Sequence, residues 1–168
     1  MKRIGLLSDT HGWINPHIYD FFANCDEIWH AGDFGNISIA DELSKFKPLR
    51  GVYGNIDDCI VRSQYKRFEV FTIEGFKVLL THIGGYPDHY APEIKATILD
   101  VKPNIFVCGH SHILKVISDR KLNLLHLNPG AAGKSGFHKK ITMLRFELDN
   151  GAIRNMEIFE SDRNLTVE

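Results

Sequence analysis

A mixed α/β domain is the fold class that this sequence of 168 residues predicts. In the first half, short apolar runs alternate with segments of helical periodicity, which is the pattern of parallel strands joined by helices. In the second half, strand-like runs follow one another across short polar turns, which is typical of antiparallel hairpins. No internal repeat and no linker-like segment divides the chain, so we expect a single domain over residues 1–168.

Three short runs of β-branched and aromatic residues in the first half predict strands at Arg3–Leu7, Glu27–His30 and Leu49–Val52. Between them, apolar residues recur at helical spacing from Ile18 to Cys25 and from Ile39 to Phe46. The resulting order, β-α-β-α-β, predicts that the three strands are parallel neighbours in one sheet, because right-handed crossovers connect such units.

The second half contains more strand-like runs and one further helix. The predicted strands are Val70–Ile73, Phe76–Leu80, Ile105–Cys108, Leu114–Ser118, Leu122–Leu127, Ile141–Leu148 and Ile153–Phe159. The helix is expected over Ile94–Val101, because Pro92 precedes it and Pro103 follows it. Glu74-Gly75 predicts a two-residue hairpin turn. The residues from Ser161 onward are polar, and we expect them to be frayed.

Charge and cysteine content exclude several classes of protein. The chain has 20 Lys and Arg against 21 Asp and Glu, a balance that disfavours a polybasic membrane binder or a nucleic-acid coat protein. Cys25, Cys59 and Cys108 are odd in number and form no CxxC pair, so a disulfide framework is a poor interpretation. No apolar run approaches the ~20 residues of a membrane span. We therefore expect a soluble, cytoplasmic protein without a membrane partner.

Side chains that can bind a metal follow five of the predicted strands. They are Asp9, His11, Asp33, Asn55, His82, His110 and His112. Each residue alone has a structural explanation, such as a turn residue or a buried histidine. Ligands of open α/β sheets bind beyond the carboxyl ends of the strands, however, so we expect all seven side chains to converge.

Oxygen and imidazole ligands without a thiolate suit Mn²⁺, Fe, Zn²⁺, Ni²⁺ or Co²⁺. Seven ligands are more than one ion needs, and they are about right for two ions that share a carboxylate. Two ions roughly 3.5–4 Å apart can hold a bridging hydroxide and clamp a phosphate for in-line displacement. The residues therefore predict a binuclear metal centre.

The order of these motifs resembles the calcineurin-like metallophosphoesterase superfamily. The matching blocks are Asp9-x-His11, Gly32-Asp33, Gly54-Asn55-x-Asp57, Thr81-His82 and Gly109-His110-x-His112. The short chain and Asn128-Pro129-Gly130 resemble its small bacterial and archaeal phosphodiesterase branch, and the resemblance extends from Lys2 to about Phe159. It implies a four-layer α/β/β/α sandwich of two mixed β-sheets, the metallo-dependent phosphatase type of α/β fold.

The resemblance also implies how the ligands are divided. One ion would be held by Asp9, His11, Asp33 and His112, and the other by Asp33, Asn55, His82 and His110. Asp33 would bridge the two divalent ions, typically Mn²⁺ in this family, and a hydroxide between them would attack phosphorus. Asp33, Asn55 and His82 are therefore the expected catalytic residues. Many members of the family form dimers, so the resemblance allows a homodimer but leaves the oligomeric state open.

Two departures from the wider superfamily favour a small phosphodiester as the substrate. The superfamily often carries Gly-Asn-His-Asp/Glu, whose histidine helps to protonate the leaving group, but this chain has Ile56 at that position. Relatives often continue with Gly-His after the histidine at position 82, where this chain has Ile83-Gly84. General acid catalysis contributes ~10²–10⁴-fold. A diester with an acidic leaving group loses least without it.

Three other functions are weighed against the phosphodiesterase. A protein-interaction scaffold like the Vps29 subunit of retromer shares the fold, but here all seven ligand positions are filled. A nuclease acting on polymeric nucleic acid is disfavoured by the near-zero net charge, and a phosphomonoesterase is disfavoured by Ile56. The loops at 56–66, 84–92 and 130–140 are expected to set specificity. The last contains a basic run that is either a solvated turn or a phosphate-steering patch, with Lys134, His138, Lys139 and Lys140.

Overall fold

The computed structural model describes residues 1–163, and within them the chain forms ten strands and four helices. In chain order these are β1 (Lys2–Leu7), α1 (His17–Phe21), β2 (Glu27–His30), α2 (Ile37–Phe46), β3 (Leu49–Gly51), α3 (Cys59–Gln64), β4 (Phe68–Ile73), β5 (Phe76–Thr81), α4 (Pro92–Val101), β6 (Ile105–Val107), β7 (Leu114–Asp119), β8 (Leu124–Pro129), β9 (Lys140–Asp149) and β10 (Ala152–Asp162). In this part of the chain, no helix combines the length and the apolar character needed to cross a membrane.

The strands form two mixed five-stranded sheets. The first has the order β10-β9-β1-β2-β3, in which β1, β2 and β3 are parallel as the β-α-β-α-β pattern predicts. The second has the order β4-β5-β6-β8-β7, in which β5, β6 and β8 are parallel and the edge strands β4 and β7 are antiparallel. The parallel strands of each sheet therefore end at a common edge.

Three apolar clusters define four layers. Between the sheets, side chains such as Trp29 and Phe146 of the first sheet share one cluster with Val107 and Leu127 of the second. On the outer face of the first sheet, helices α1 to α3 pack through a second cluster that includes Ile18, Leu43 and Val61. Helix α4 covers the outer face of the second sheet through Ile94 and Ile98. The fold is the α/β/β/α sandwich that the resemblance implies.

The first two helical segments differ from the sequence pattern in different ways. Helix α1 ends at Phe21, although its apolar spacing continues to Cys25. The reason is that Phe22 leaves the helical conformation and its ring lies against Gly5 of β1, where a Cβ would come within 2.7 Å of it. The apolar spacing therefore continues beyond the end of the helix because Phe22 is buried against β1. Helix α2 begins two residues before the predicted position.

Helix α3 and the end of β10 differ from the prediction. Nothing in the periodicity predicts α3, because only Val61 of its six residues is buried. The feature of the sequence that marks α3 is its N-cap residue, Asp58. The Asp58 carboxylate accepts hydrogen bonds from the Ile60 and Val61 amides. The expectation of fraying from Ser161 is wrong for Ser161 and Asp162, which pair with β9. It is also wrong for Arg163, whose amide donates to the Lys139 carbonyl at 3.1 Å. Residues 164–168, which complete that segment, lie outside the described residues.

Candidate metal centre

All seven predicted metal ligands lie at the edge where the parallel strands of both sheets end. Asp9, His11 and His112 form one cluster, and Asp33, His82 and His110 form another, with the candidate ligand atoms of each cluster within 4.8 Å of one another. Asn55 joins the second cluster, because its Oδ1 lies 3.0 Å from His82 Nε2 and 3.0 Å from His110 Nδ1. We call the first cluster the Asp9 group and the second, with Asn55, the Asn55 group.

The Asp33 carboxylate links the two groups. Its Oδ2 lies 3.1 Å from His82 Nε2 within the Asn55 group and 3.4 Å from His11 Nε2 within the Asp9 group. Each group also draws on both sheets, since Asp9 and Asp33 follow strands of the first sheet, whereas His82 and His112 follow strands of the second. Asp33 therefore lies between the two groups, with one carboxylate oxygen near a histidine of each.

The backbone at the centre has an unusual conformation. A positive φ between 46° and 68° occurs at five of the seven residues: Asp9, His11, Asp33, His110 and His112. Left-handed backbone costs residues with a Cβ roughly 1–3 kcal/mol each, and such strain is found where a functional site requires it. Backbone hydrogen bonds between the loops hold this conformation in place. The Asp9 amide donates to the Gly32 carbonyl, and the His11 amide donates to the Asp33 carbonyl.

Glycines precede three of the ligands, and all three are required for close approach. A Cβ on Gly32 would lie 2.7 Å from His82 Cβ. A Cβ on Gly54 would lie 2.0 Å from Asp33 Oδ1, and a Cβ on Gly109 would lie 2.1 Å from Ser8 Oγ and 2.9 Å from Asp9 Oδ2. These distances are too short for any side chain. The Gly32-Asp33, Gly54-Asn55 and Gly109-His110 pairs of the motif are therefore packing requirements of the centre.

Asp57 fixes the loop that carries Asn55. Its buried carboxylate accepts hydrogen bonds from the amides of Gly54, Phe34 and Gly35 at 2.8, 3.2 and 2.9 Å. The loop after β3 is thus tied to the loop after β2, which carries Asp33. Asp57 therefore has a structural function here that requires no histidine at position 56.

The orientation of two ligand histidines follows from the partners of their Nδ1 atoms. His82 Nδ1 lies 2.7 Å from the Ala31 carbonyl oxygen, which can only accept, so Nδ1 donates. In neutral imidazole, Nε2 then carries the lone pair, and it faces the oxygens of Asp33 and Asn55. A lone pair directed at oxygens is repulsive unless a proton or a cation lies between them.

His138 supports His112 in the same way. His138 Nε2 donates to the Gly133 carbonyl at 2.8 Å, so its Nδ1 can accept from His112 Nδ1, which lies 3.0 Å away. His112 Nε2 is then the free acceptor, and it lies 3.1 Å from Asp9 Oδ1. The sequence leaves His138 between a solvated turn and phosphate steering, and the structure places it behind a ligand. Its 26-residue separation from His112 offers no sequence signal for that contact.

His30 lies beneath both groups and is not among the predicted ligands. Its Nδ1 accepts from the Gly32 amide at 3.1 Å, its Nε2 lies 3.0 Å from Thr10 Oγ1, and its ring stacks on Phe34. Complete burial lowers its pKa to about 3, so the ring is neutral at physiological pH. His30 therefore joins the loop after β1 to the loop after β2 without carrying charge.

The charges and unpaired atoms of the centre fit cations. Burial would raise the pKa of Asp9, but contacts with His11, His112 and Ser8 hold it well below its usual range. Contacts with Asp33 and Asp9 raise the pKa of His11 to about 9. Asp9 Oδ1 and His11 Nε2 are buried without a hydrogen-bond partner, as ligand atoms of a metal would be. The oxygen and imidazole donors suit a first-row divalent ion.

Comparisons with known proteins show which family and which folds this chain resembles. The family described as the calcineurin-like phosphoesterase superfamily domain matches residues 1–151. A probable metallophosphoesterase of Methanothermobacter thermautotrophicus is 31% identical over 135 residues, which cover 76% of each chain. A structure described as a novel archaeal phosphodiesterase superposes with a TM-score of 0.71 at 19% identity, covering 94% of this chain and 99% of that one. Zinc-bound Vps29 of Entamoeba histolytica superposes with a TM-score of 0.72 at 18% identity, covering 96% and 99%.

Proposed function

The chain belongs to the calcineurin-like phosphoesterase superfamily, and on that premise we propose that it is a metal-dependent phosphodiesterase acting on a small substrate. The observation that carries the proposal is the convergence of seven oxygen and nitrogen donors from five strand ends of two sheets. The superfamily membership supports phosphoric ester hydrolysis, and the lack of a proton donor at Ile56 supports the narrower class.

The donor set fits two divalent ions, with Mn²⁺ as the first choice. The Asp9 group together with Asp33 would hold one ion, and the Asn55 group would hold the other. When bound, such ions neutralise charge on the phosphoryl oxygens and lower the pKa of water at the site. Hydrolysis of a phosphate ester needs both effects.

The chain itself supplies orientation. Asp33 presents its carboxylate to both groups, and the Ile56 amide donates to its Oδ1 at 3.1 Å, which fixes the direction of Oδ2. His82 is held by the Ala31 carbonyl so that Nε2 faces the centre. Asn55 directs its side-chain oxygen between two imidazoles. These three residues are the ones to which we assign catalysis.

The preference for a diester rests on the leaving group. Ile56 borders the Asn55 group with 46% of its surface exposed, and its aliphatic side chain has no proton to give. Without a general acid, which contributes ~10²–10⁴-fold, the departing oxygen must be stable as an anion. A phosphodiester with an acidic leaving group satisfies this requirement better than an alkyl monoester does.

A non-catalytic scaffold is the second candidate, because Vps29 shares the fold. The complete set of seven converging donors favours the phosphodiesterase, although zinc-bound Vps29 shows that a protein of this fold can hold a metal under that name as well. We also propose that the phosphodiesterase is cytoplasmic, a location that suits its three free cysteines. We further propose that it assembles as a homodimer, which light scattering of the purified protein would test.

The proposed function is tested with chelator-stripped protein. Bis(p-nitrophenyl) phosphate, whose leaving group is acidic, and glycerol 2-phosphate, an alkyl monoester, are assayed with and without Mn²⁺. We expect hydrolysis that depends on Mn²⁺ and a higher kcat/KM for the diester. A higher kcat/KM for the monoester would contradict the preference. Metal binding without hydrolysis of either ester, or of other diesters with acidic leaving groups, would favour the scaffold.

A further inference from the structure

A pocket lined by two arginines adjoins the Asn55 group. Its lining includes Tyr53, Asn55, Arg62, Arg67, His82 and Ile83. Two of these residues are candidate metal ligands, so the pocket opens directly beside the centre. The described residues that line it include no carboxylate, although the chain as a whole has slightly more acidic than basic residues. The side chains that line the pocket therefore carry two positive charges, of which one is paired with Glu93 outside the lining, a local balance that the net charge of the chain does not indicate.

Arg62 is held rigidly at this pocket. Its Nε donates to the Asp57 carbonyl at 2.7 Å, and its Nη2 donates to the Asn55 carbonyl at 3.1 Å. Its guanidinium also lies over the Tyr53 ring, 4.8 Å from the centroid. Because a guanidinium has five N–H donors, these two bonds leave others for a ligand. A charge fixed before binding loses little side-chain entropy when an anion arrives.

Arg67 supplies a second charge that can change partners. The Arg67 carbonyl accepts a hydrogen bond from Thr81 Oγ1. This bond anchors the Arg67 backbone next to β5, the strand that His82 follows. The Arg67 side chain is 48% exposed and forms an ion pair with Glu93, which is more exposed still. Exposed pairs of this kind contribute little to stability. Arg67 can therefore turn from Glu93 to an anionic group of the substrate at little expense.

From this juxtaposition we propose that the pocket binds a second phosphate group of the substrate. The inference rests on the proposed function, in which the scissile phosphate lies between the two groups of ligands. One ester arm of the diester then extends past Asn55 and presents a terminal phosphate to Arg62 and Arg67. Guanidinium groups bind phosphate through paired charge-assisted hydrogen bonds, which favours this anion in the pocket.

The substrate class follows from the position of the pocket. Arg62 contacts the backbone of a candidate metal ligand, so an anion bound to Arg62 is within one short ester arm of the scissile phosphorus. Ile83, 44% exposed at the lip of the pocket, offers an apolar surface to the part of the arm between the two phosphates. A small organic diester with a further phosphate, such as a phosphorylated nucleoside diester, has this arrangement.

A matched pair of substrates tests the subsite. Thymidine 5′-(p-nitrophenyl phosphate) is compared with the same diester carrying a 3′-phosphate, in the Mn²⁺-loaded protein. We expect the 3′-phosphate to raise kcat/KM about tenfold or more, as for hydrogen bonds to charged groups. Arg67→Gln and Arg62→Gln should bring the ratio of the two kcat/KM values toward one, whereas Arg67→Lys should retain part of it.

Arg154→Gln is the matched control. Arg154 is exposed and pairs with Asp149 at the opposite end of the first sheet, so this variant should keep both the ratio and the basal activity. Equal kcat/KM values for the two substrates in the unmodified protein would overturn the subsite. So would a full ratio in a variant that lacks both arginines.

A binding measurement separates failure of the subsite from failure of the proposed function. Titration calorimetry compares thymidine 3′,5′-bisphosphate with thymidine 5′-phosphate in the same proteins. We expect about tenfold tighter binding of the bisphosphate, lost in Arg67→Gln and kept in Arg154→Gln. If this preference appears without turnover of any diester, the subsite holds and the phosphodiesterase assignment fails. If the two nucleotides bind equally, the subsite is overturned whatever the activity.

Discussion

The two groups of metal ligands differ in how the protein supports them. In the Asp9 group, Asp9 is fully buried and accepts hydrogen bonds from Ser8 Oγ and the His110 amide. His11 and His112 are half-buried, and His138 supports His112. In the Asn55 group, Asp33 and His82 are buried, but Asn55 and His110 are exposed, and the arginine-lined pocket begins there.

This difference separates two tasks. Buried ligands with hydrogen-bonded neighbours hold an ion tightly, because the ligand geometry is set before the ion binds. Exposed ligands beside a cationic pocket admit the substrate, because an anion can reach them without displacing packed side chains. We therefore expect the Asp9 group to govern metal affinity and the Asn55 group to govern reaction with the substrate.

Asp33→Asn should have the largest effect, since Asp33 belongs to both tasks. The substitution keeps a side chain that tolerates positive φ but removes the charge shared by the groups. We expect kcat/KM to fall by about 10³-fold or more, because metal ions supply several kcal/mol of transition-state stabilisation. Circular dichroism and metal analysis should report a folded protein that binds less metal. Substantial activity in a folded variant would contradict the shared role.

His138→Ala sharpens the comparison from the side of the Asp9 group. Removing the partner of His112 Nδ1 frees the ring, and the loss of such a contact weakens metal affinity about 10–100-fold. Metal titration should record that loss, with kcat near its original value at saturating Mn²⁺. His89→Ala is the control, because His89 contacts Tyr86 in another loop. Unchanged affinity in His138→Ala would remove the distinction between the groups.

The positions of the ligands could be predicted from the sequence, whereas their support could not. Strand ends are visible as apolar runs that stop at Asp9, Asp33 or His82, and the parallel order places them at one edge. The positive φ of five ligands has no composition signal, since aspartate and histidine are common residues elsewhere.

Contacts between different loops cannot be predicted from the sequence either. The bond between His112 and His138 and the three amides bound by Asp57 depend on loop paths, and no residue pattern encodes those paths. The same limit applies to Arg67, and it applies in part to Arg62, which lies in the segment 56–66 that is expected to set specificity. Neither residue belongs to a motif, and only the fold brings both to one pocket.

Ile56→His tests the Asn55 group from the side of the leaving group. An imidazole at this exposed position could donate the proton that the isoleucine lacks. We expect a rise of about tenfold in kcat/KM for glycerol 2-phosphate, whose alkoxide leaving group needs a proton, relative to bis(p-nitrophenyl) phosphate, below the ~10²–10⁴-fold of a fully positioned acid. Ile60→His on the exposed face of α3 is the control, and it should leave the ratio unchanged. An unchanged ratio in Ile56→His would contradict the leaving-group argument.

The smallest predicted effect concerns His30, which lies beneath both groups of ligands. Because its ring is neutral at neutral pH, we expect it to affect the pH dependence of stability and not the charge of the centre. The unfolded chain takes up a proton at His30 near its usual pKa of 6.5, whereas the folded protein does so only near 3. The unfolded state therefore binds more protons than the folded state below pH 6.5. As the pH is lowered from 6.5, the free energy of unfolding should decrease by up to about 1.4 kcal/mol for each pH unit.

Urea unfolding of the metal-free protein between pH 6.5 and 5 measures this slope. His126, whose pKa is lowered by burial to about 4, adds a similar slope that should persist in His30→Asn. His11, whose pKa is raised to about 9, acts in the separate window from pH 6.5 to 9, where stability should decrease as pH rises. The His30→Asn slope should thus be shallower by about 1 kcal/mol per unit. An unaltered slope would mean that His30 is protonated in the folded protein, and the loops beneath both groups would then be joined by a charged residue.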